Sequence, residues 1–130
     1  LVDGEFVVAI QIPPQAANMG SAYQRFIPRN EMDIAVVGVG SWIELDANEN
    51  IANARISLGA VAATPLFAEQ ASQFLVGKEP SDDNFSQAAE LAKQIATPIT
   101  DMRGTAQYRT HLVGVLVTRT LTTALDRAQA

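Results

Sequence analysis

Apolar residues in this 130-residue chain change their spacing partway along, and that change restricts the fold more than any motif does. Up to about residue 62 they favour every second position, as a half-buried strand requires. Beyond it they fall three and four apart, as one helix face requires. From Ile51 to Ala62, the residues Ala54, Ile56, Leu58 and Ala60 alternate with Asn53, Arg55, Ser57 and Gly59. Asp33 to Leu45 is a second long strand candidate. Ala35, Val37, Val39, Ser41, Ile43 and Leu45 share one face, and Ile34, Val36, Gly38, Gly40 and Trp42 the other. The turn formers of Asp46-Ala47-Asn48-Glu49-Asn50 join these two strands into a hairpin. Phe6 to Ile12 reads as an earlier strand, stopped by Pro13-Pro14, which cannot donate to a ladder. After a polar stretch from 15 to 21, Ala22 to Ile27 reads as a short strand ending at Pro28.

The later half carries helix punctuation. Thr64 and Pro65 suit the N-cap and first position of a helix that Gly77 closes, with Phe67, Ala71, Phe74 and Leu75 as its stripe. A second helix is expected from Ser81-Asp82-Asp83, where acids favour the positive dipole end, to just before Pro98. Its stripe is Phe85, Ala88, Ala89, Ala92 and Ile95. A third runs from about Thr105 to Gln129. It gathers Leu112, Val113, Leu116, Val117, Leu121 and Ala124 on one side, with His111, Thr118 and Thr122 opposite. Strands first and helices after predict an α+β class: an antiparallel sheet of three to four strands packed against three helices. Residues 1–130 read as one domain, and the opening on Leu1 reads as a cut from a longer protein.

Composition narrows function by exclusion. The net charge is −5, with the nine Lys and Arg scattered, which argues against a nucleic-acid surface. The strongest uncharged apolar stretch, Ile34 to Ile43, is half the ~20 residues of a membrane span. With no signal peptide visible, a cytoplasmic setting is expected. The absence of cysteine removes disulfides, thiolate nucleophiles and iron–sulfur ligation within the chain.

Motif fragments fail in informative ways. Gly38-Val39-Gly40 begins like a dinucleotide fingerprint, but Ile43 stands at the third glycine position and no helix comes after it. Asp46 to Asn50 begins like a calcium loop, but Ile51 and Ser57 occupy the places of its glycine and bidentate glutamate. His111 is the only histidine and has no carboxylate at helical spacing, so no metal site is expected. Glu31 and Asp33 could divide acid and base roles. Arg25 and Arg29 precede them, however, and charge pairing at a strand entrance is the simpler expectation. No catalytic residue is assigned.

Four ordered segments carry a resemblance: Tyr23 to Ala35 (Tyr-Gln-Arg-Phe-Ile-Pro-Arg-Asn-Glu-Met-Asp-Ile-Ala), Ala54 to Pro65, Ala71 to Gly77, and Asp101-Met102-Arg103-Gly104-Thr105-Ala106-Gln107-Tyr108-Arg109. Together they resemble the C-terminal domain of the FAD-binding medium subunit of molybdenum hydroxylases. That is the family of aerobic carbon monoxide dehydrogenase and xanthine dehydrogenase. The resemblance implies a three- or four-stranded sheet with three helices. It also implies a division of labour. A large subunit holds the molybdenum cofactor, a small subunit holds two [2Fe-2S] clusters, and the medium subunit passes electrons through FAD. The FAD would be gripped mainly by N-terminal FAD-binding domains of the same chain, so the fragment alone would hold no cofactor and show no turnover.

The same resemblance implies two flavin-edge contacts. Family members usually read Tyr-x-Lys-x-x-x-Arg where this chain has Tyr23-x-Arg25-x-x-x-Arg29, and in the xanthine dehydrogenase branch that lysine lies at the flavin. Arg25 departs from the pattern, keeping the charge but not the shape. A cation there would stabilise negative charge on the reduced ring and raise its potential. A structural ion pair is the other role open to Arg25. Val7 falls where an apolar residue of the first strand touches the flavin, and sheet core is its alternative. Asp101, Arg103, Tyr108 and Arg109 are expected to fix the loop entering the third helix. A stand-alone α+β interaction or dimerisation module remains the competing reading of the whole chain.

Overall fold

The computed structural model describes residues 1–14, 16–29 and 32–130. Its sheet is a meander of four antiparallel strands in the order β1 (Met19–Phe26), β2 (Val37–Leu45), β3 (Ile51–Gly59) and β4 (Leu66–Phe67). Three helices come after it in the chain, α1 (Glu69–Leu75), α2 (Asp82–Ile95) and α3 (Ala106–Ala128). The α+β class, the central hairpin and the three helices are therefore as the spacing predicts. The hairpin turn is set by Asp46, whose Oδ1 accepts the N–H of Asn48 at 2.7 Å and of Asn50 at 3.0 Å. Glu49 takes a positive φ of 63°. The calcium-like string is thus a turn.

Alternation decides what is buried. Val37, Val39, Ile43 and Leu45 of β2, with Ala54, Ile56 and Leu58 of β3, face the helices and are buried. The helices meet them with Ala71 and Leu75, with Phe85, Ala88, Ala89 and Ala92, and with Leu112, Val113, Leu116, Val117, Leu121 and Ala124. Each large apolar side chain so buried stabilises the fold by roughly 1.5–3 kcal/mol. One polar contact helps fix the register of α3 on the sheet: the buried Ser41 and Thr120 hydroxyls lie 2.7 Å apart, and Thr120 Oγ1 also donates to the Leu116 carbonyl one turn back in its own helix at 2.8 Å. At Gly20 the helix backbone touches β1: a Cβ added there would lie 1.8 Å from the Ala124 carbonyl oxygen.

Two expectations need correction. Phe6 to Ile12 forms no strand among the described residues, and Phe6, Val8, Ile10 and Ile12 are each more than three-quarters exposed. Its apolar alternation marks a segment able to pair but names no partner, and Pro13-Pro14 separate it from the sheet. The first helix begins at Glu69 instead of Pro65, because Leu66 and Phe67 first pair with Leu58 and Ser57. Phe67 therefore belongs to the sheet, and Ala68 caps α1 without a side-chain bond. Residues 66–78 close the outer edge of β3. Ala68 N–H donates to the Ile56 carbonyl at 2.9 Å, and Ile56 N–H donates to Ser72 Oγ at 3.0 Å. Ile51 N–H donates to the Lys78 carbonyl at 2.9 Å, and Gly77 N–H returns a bond to the Ile51 carbonyl at 2.7 Å. Strand edges left open invite pairing with other chains.

Candidate functional site

The face of the sheet away from the helices is the candidate site. Its side chains come from the other phase of the same strands: Ser21, Tyr23 and Arg25 of β1, Gly38, Gly40 and Trp42 of β2, and Asn53, Arg55 and Ser57 of β3. Tyr23 pairs across from Gly40 and Arg25 from Gly38. The tyrosine ring lies over the two glycines, so a Cβ at Gly38 would come within 2.9 Å of Tyr23 Oη. That is the reason for glycines in mid-strand here, and no phosphate loop is involved.

Beside Tyr23 runs a groove of about 530 Å³ lined by Tyr23, Gly40, Trp42, Arg55, Ser57 and Arg127. Arg55 stands opposite Trp42, and its guanidinium lies 5.3 Å from the centre of the Phe67 ring. Arg127 Nη1 donates to the Ser21 carbonyl at the rim. Glu44, the acid of β2 on this face, is engaged by Asn53 Nδ2 at 2.7 Å. A chain of net charge −5 thus turns Arg25, Arg55 and Arg127 toward one surface. Such a surface attracts anionic or electron-rich partners.

Arg25 is exposed on this face, and its guanidinium makes no hydrogen bond or ion pair with another described residue. Asp33 pairs instead with Arg29 Nε at 3.4 Å and Arg103 Nε at 3.7 Å. Glu31, the other half of the expected acid pair, lies outside the described residues. Val7 is 65% exposed in the extended N-terminal segment, so it is neither sheet core nor on the sheet that carries Arg25. His111 is exposed on α3, and no metal-holding cluster occurs among the described residues. For a planar redox ring the face offers a cation beside an exposed aromatic edge, which fits contact at one side of a flavin. Among the described residues it offers no glycine-rich turn into a helix, so a pyrophosphate has no cradle here.

The corner where α3 begins carries the strongest electrostatics. Thr105 Oγ1 caps the helix by accepting the Tyr108 N–H at 3.1 Å. Arg109, 3% exposed, donates to Asp101 Oδ1 at 2.6 Å and to the Val36 carbonyl at 2.8 Å. Asp101, Arg103 and Arg109 thus hold the loop entering α3, as expected from sequence, through Asp–Arg bonds. The reach of Arg109 to the entrance of β2 is what sequence reasoning missed, since no local spacing signals a bond to Val36. The Arg103 N–H, then the Arg109 guanidinium, hold the Asp101 carboxyl below the usual range despite partial burial. At Asp33 desolvation pushes upward, but the Arg29 hydrogen bond and charge, with the Ile34 and Arg29 N–H donors, outweigh it and lower the pKa. No helix among the described residues is long and apolar enough to cross a membrane.

Residues 21–124 match the family model of the CO dehydrogenase flavoprotein C-terminal domain. The chain is 35% identical over 127 residues to the carbon monoxide dehydrogenase medium chain of Afipia carboxidovorans, an alignment covering 98% of this chain and 42% of that one. It is 27% identical over 125 residues to the xanthine dehydrogenase FAD-binding subunit of Escherichia coli O157:H7, covering 95% and 42%. The solved structure of reconstituted CO dehydrogenase from Oligotropha carboxidovorans superposes with a TM-score of 0.82 at 33% identity, over 89% of this chain and 40% of that one. The chain therefore spans about two-fifths of the length of the curated relatives it matches.

Proposed function

The chain belongs to the CO dehydrogenase flavoprotein C-terminal domain family, and on that premise we propose that it is the accessory C-terminal domain of an FAD-containing electron-transfer subunit of a molybdenum hydroxylase. In this reading residues 1–130 are one domain of a longer chain. Its N-terminal FAD-binding domains grip the cofactor, and this domain covers one edge of the flavin and helps dock neighbouring subunits. A large molybdopterin subunit and a small [2Fe-2S] subunit complete the assembly, in the cytoplasm. The bound FAD supplies two-electron chemistry between the metal centres and a final acceptor.

What carries the reading is the exposed Arg25, unpaired among the described residues, beside Tyr23 on a sheet face that no helix covers. Of the chain's own residues, Arg25 would stand at the flavin edge, where its charge favours the reduced ring. Tyr23, held over Gly38 and Gly40, would keep water from that edge. Val7 would reach the flavin through the exposed Phe6–Ile12 segment, which would find in the rest of the chain the strand partner it lacks here. The cationic groove at Arg55 suits contact with an acidic neighbour. None of the described residues on the face activates a nucleophile or divides acid and base roles, and residues 1–130 alone are expected to turn over nothing.

The test is a visible absorption spectrum of the complete subunit. A flavin spectrum that bleaches on reduction, with residues 1–130 alone failing to retain FAD, is the expected result. A colourless subunit that also refuses added FAD would sink the reading and leave a docking module without redox function.

A further inference from the structure

Four charged side chains at the α3 corner do more than start a helix. Arg109 grips the Val36 carbonyl and Asp101, and its Nε donates to the Gly104 carbonyl at 3.5 Å. Arg103 stands between Asp101 at 3.5 Å and Asp33 at 3.7 Å. Asp33 in turn accepts the Arg29 N–H at 3.2 Å. These contacts reach the residues by which the chain enters β2. The residue that ends β1 is held at the same corner: the Phe26 ring meets Tyr108 edge-on, 6.1 Å between centres. Val36 N–H donates to the Phe26 carbonyl at 2.9 Å and ties the two ends together. Arg25 directly precedes Phe26 in extended backbone, so alternation sends its side chain to the opposite, helix-free face.

We propose that the Asp33–Arg103–Asp101–Arg109 cluster is a positioning device for Arg25: by fixing Phe26 and Val36 on the helix side, it sets where the Arg25 guanidinium leaves the open side. The proposal rests on the reading in which Arg25 meets the flavin. Its physical basis is that ion pairs at a half-buried corner add little net stability compared with apolar packing, and their use here is to hold one geometry. A buried arginine bonded at once to a carboxylate, to a carbonyl at the strand entrance and to a loop carbonyl is a geometric constraint joining three segments. Arg103 then transmits that constraint to Asp33. These residues are positioning residues, since none of them lies on the open face.

The experiment uses the complete flavin-loaded subunit and reads the flavin midpoint potential, with the thermal midpoint of unfolding recorded for each variant. Arg25→Gln lowers the potential. Arg103→Gln and Asp33→Asn, which break one link from its two sides, lower it by a smaller and similar amount. About threefold in the reduced-to-oxidised ratio at fixed potential is expected, in the range of couplings carried through packed networks. The double variant Arg25→Gln/Arg103→Gln shows no further shift beyond Arg25→Gln, because Arg103 acts only through Arg25. If Arg103→Gln and Asp33→Asn leave the potential untouched while Arg25→Gln moves it, the cluster is structural only. The proposal then fails while the flavin reading stands. Additive shifts in the double variant also overturn it, since Arg103 would then act through its own field. No shift from Arg25→Gln removes the contact at Arg25 and the proposal together.

Discussion

The two faces of the sheet are cut from the same three long strands, yet they obey different rules. Toward the helices stand Val37, Val39, Ile43, Ile56 and Leu58, each at most 1% exposed. Toward the other side stand Tyr23, Trp42, Arg55 and Arg25, with Gly38 and Gly40 as floor. The first set is closed by packing and leaves no room for change. The second set is covered by no helix among the described residues: Ile12, Pro13 and Pro14 flank it beside Trp42 and Arg55, and Tyr23 and Arg25 stay exposed, free to be chosen for what they meet. Fold and candidate site thus occupy alternate positions of one sequence. A one-residue slip of register would exchange them.

The helical side is tightest at Gly20, where the Ala124 carbonyl meets β1. Gly20→Val places a side chain against the Ala124 carbonyl and must lift α3 from β1, at a cost of about 3 kcal/mol or more. Urea unfolding reads this directly, and an unchanged midpoint would mean that α3 does not sit on β1 as described. The corner clamp gives a smaller, pH-dependent effect. Asp33 and Asp101 have depressed folded pKa values, so their contribution is complete above the ordinary value of 3.8 and is lost as pH falls through the folded values. Wild-type stability should therefore fall more steeply below pH 3.8 than that of Asp33→Asn, and equal slopes in acid would contradict the pairing. The open face should give the smallest effect of all. Tyr23→Ala, at a position 67% exposed, should change stability by about 0.5 kcal/mol or less. A large loss in thermal unfolding would show that the open face is part of the core after all.

Much of the architecture could be read from spacing, because burial on one side writes a period into the sequence. Ala54, Ile56 and Leu58 against Arg55 and Ser57 placed β3, and Ser81 and Thr105 marked the starts of α2 and α3 that their side-chain caps confirm. Two segments escaped for one physical reason, which is that local pattern does not name a partner. Thr64-Pro65 has the chemistry of a helix start, but the edge of β3 claims Leu66 and Phe67 first. Phe6 to Ile12 has the composition of a strand and no ladder to join among the described residues. At the site, alternation put Trp42 and Arg55 on opposite phases of neighbouring strands' core pattern. It could not say that no helix covers this face among the described residues, nor that Arg109 spans from helix to strand entrance. The spacing of Asp101 and Arg109 hints at one bond, while the one to Val36 joins residues 73 positions apart.

The closure of the β3 edge also sets a schedule for synthesis. The groups that satisfy Ile51 and Ile56 come from Ala68, Ser72, Gly77 and Lys78, all later in the chain. A ribosome adding roughly 5–20 residues per second needs roughly one to four seconds to deliver the twenty or so residues between the end of β3 and Lys78. During that interval the β2–β3 hairpin has emerged with its outer edge uncovered. Once α1 has left the exit tunnel that edge is closed, while the apolar face of the hairpin still waits for α2 and α3, so chaperone demand is expected to last until α3 emerges.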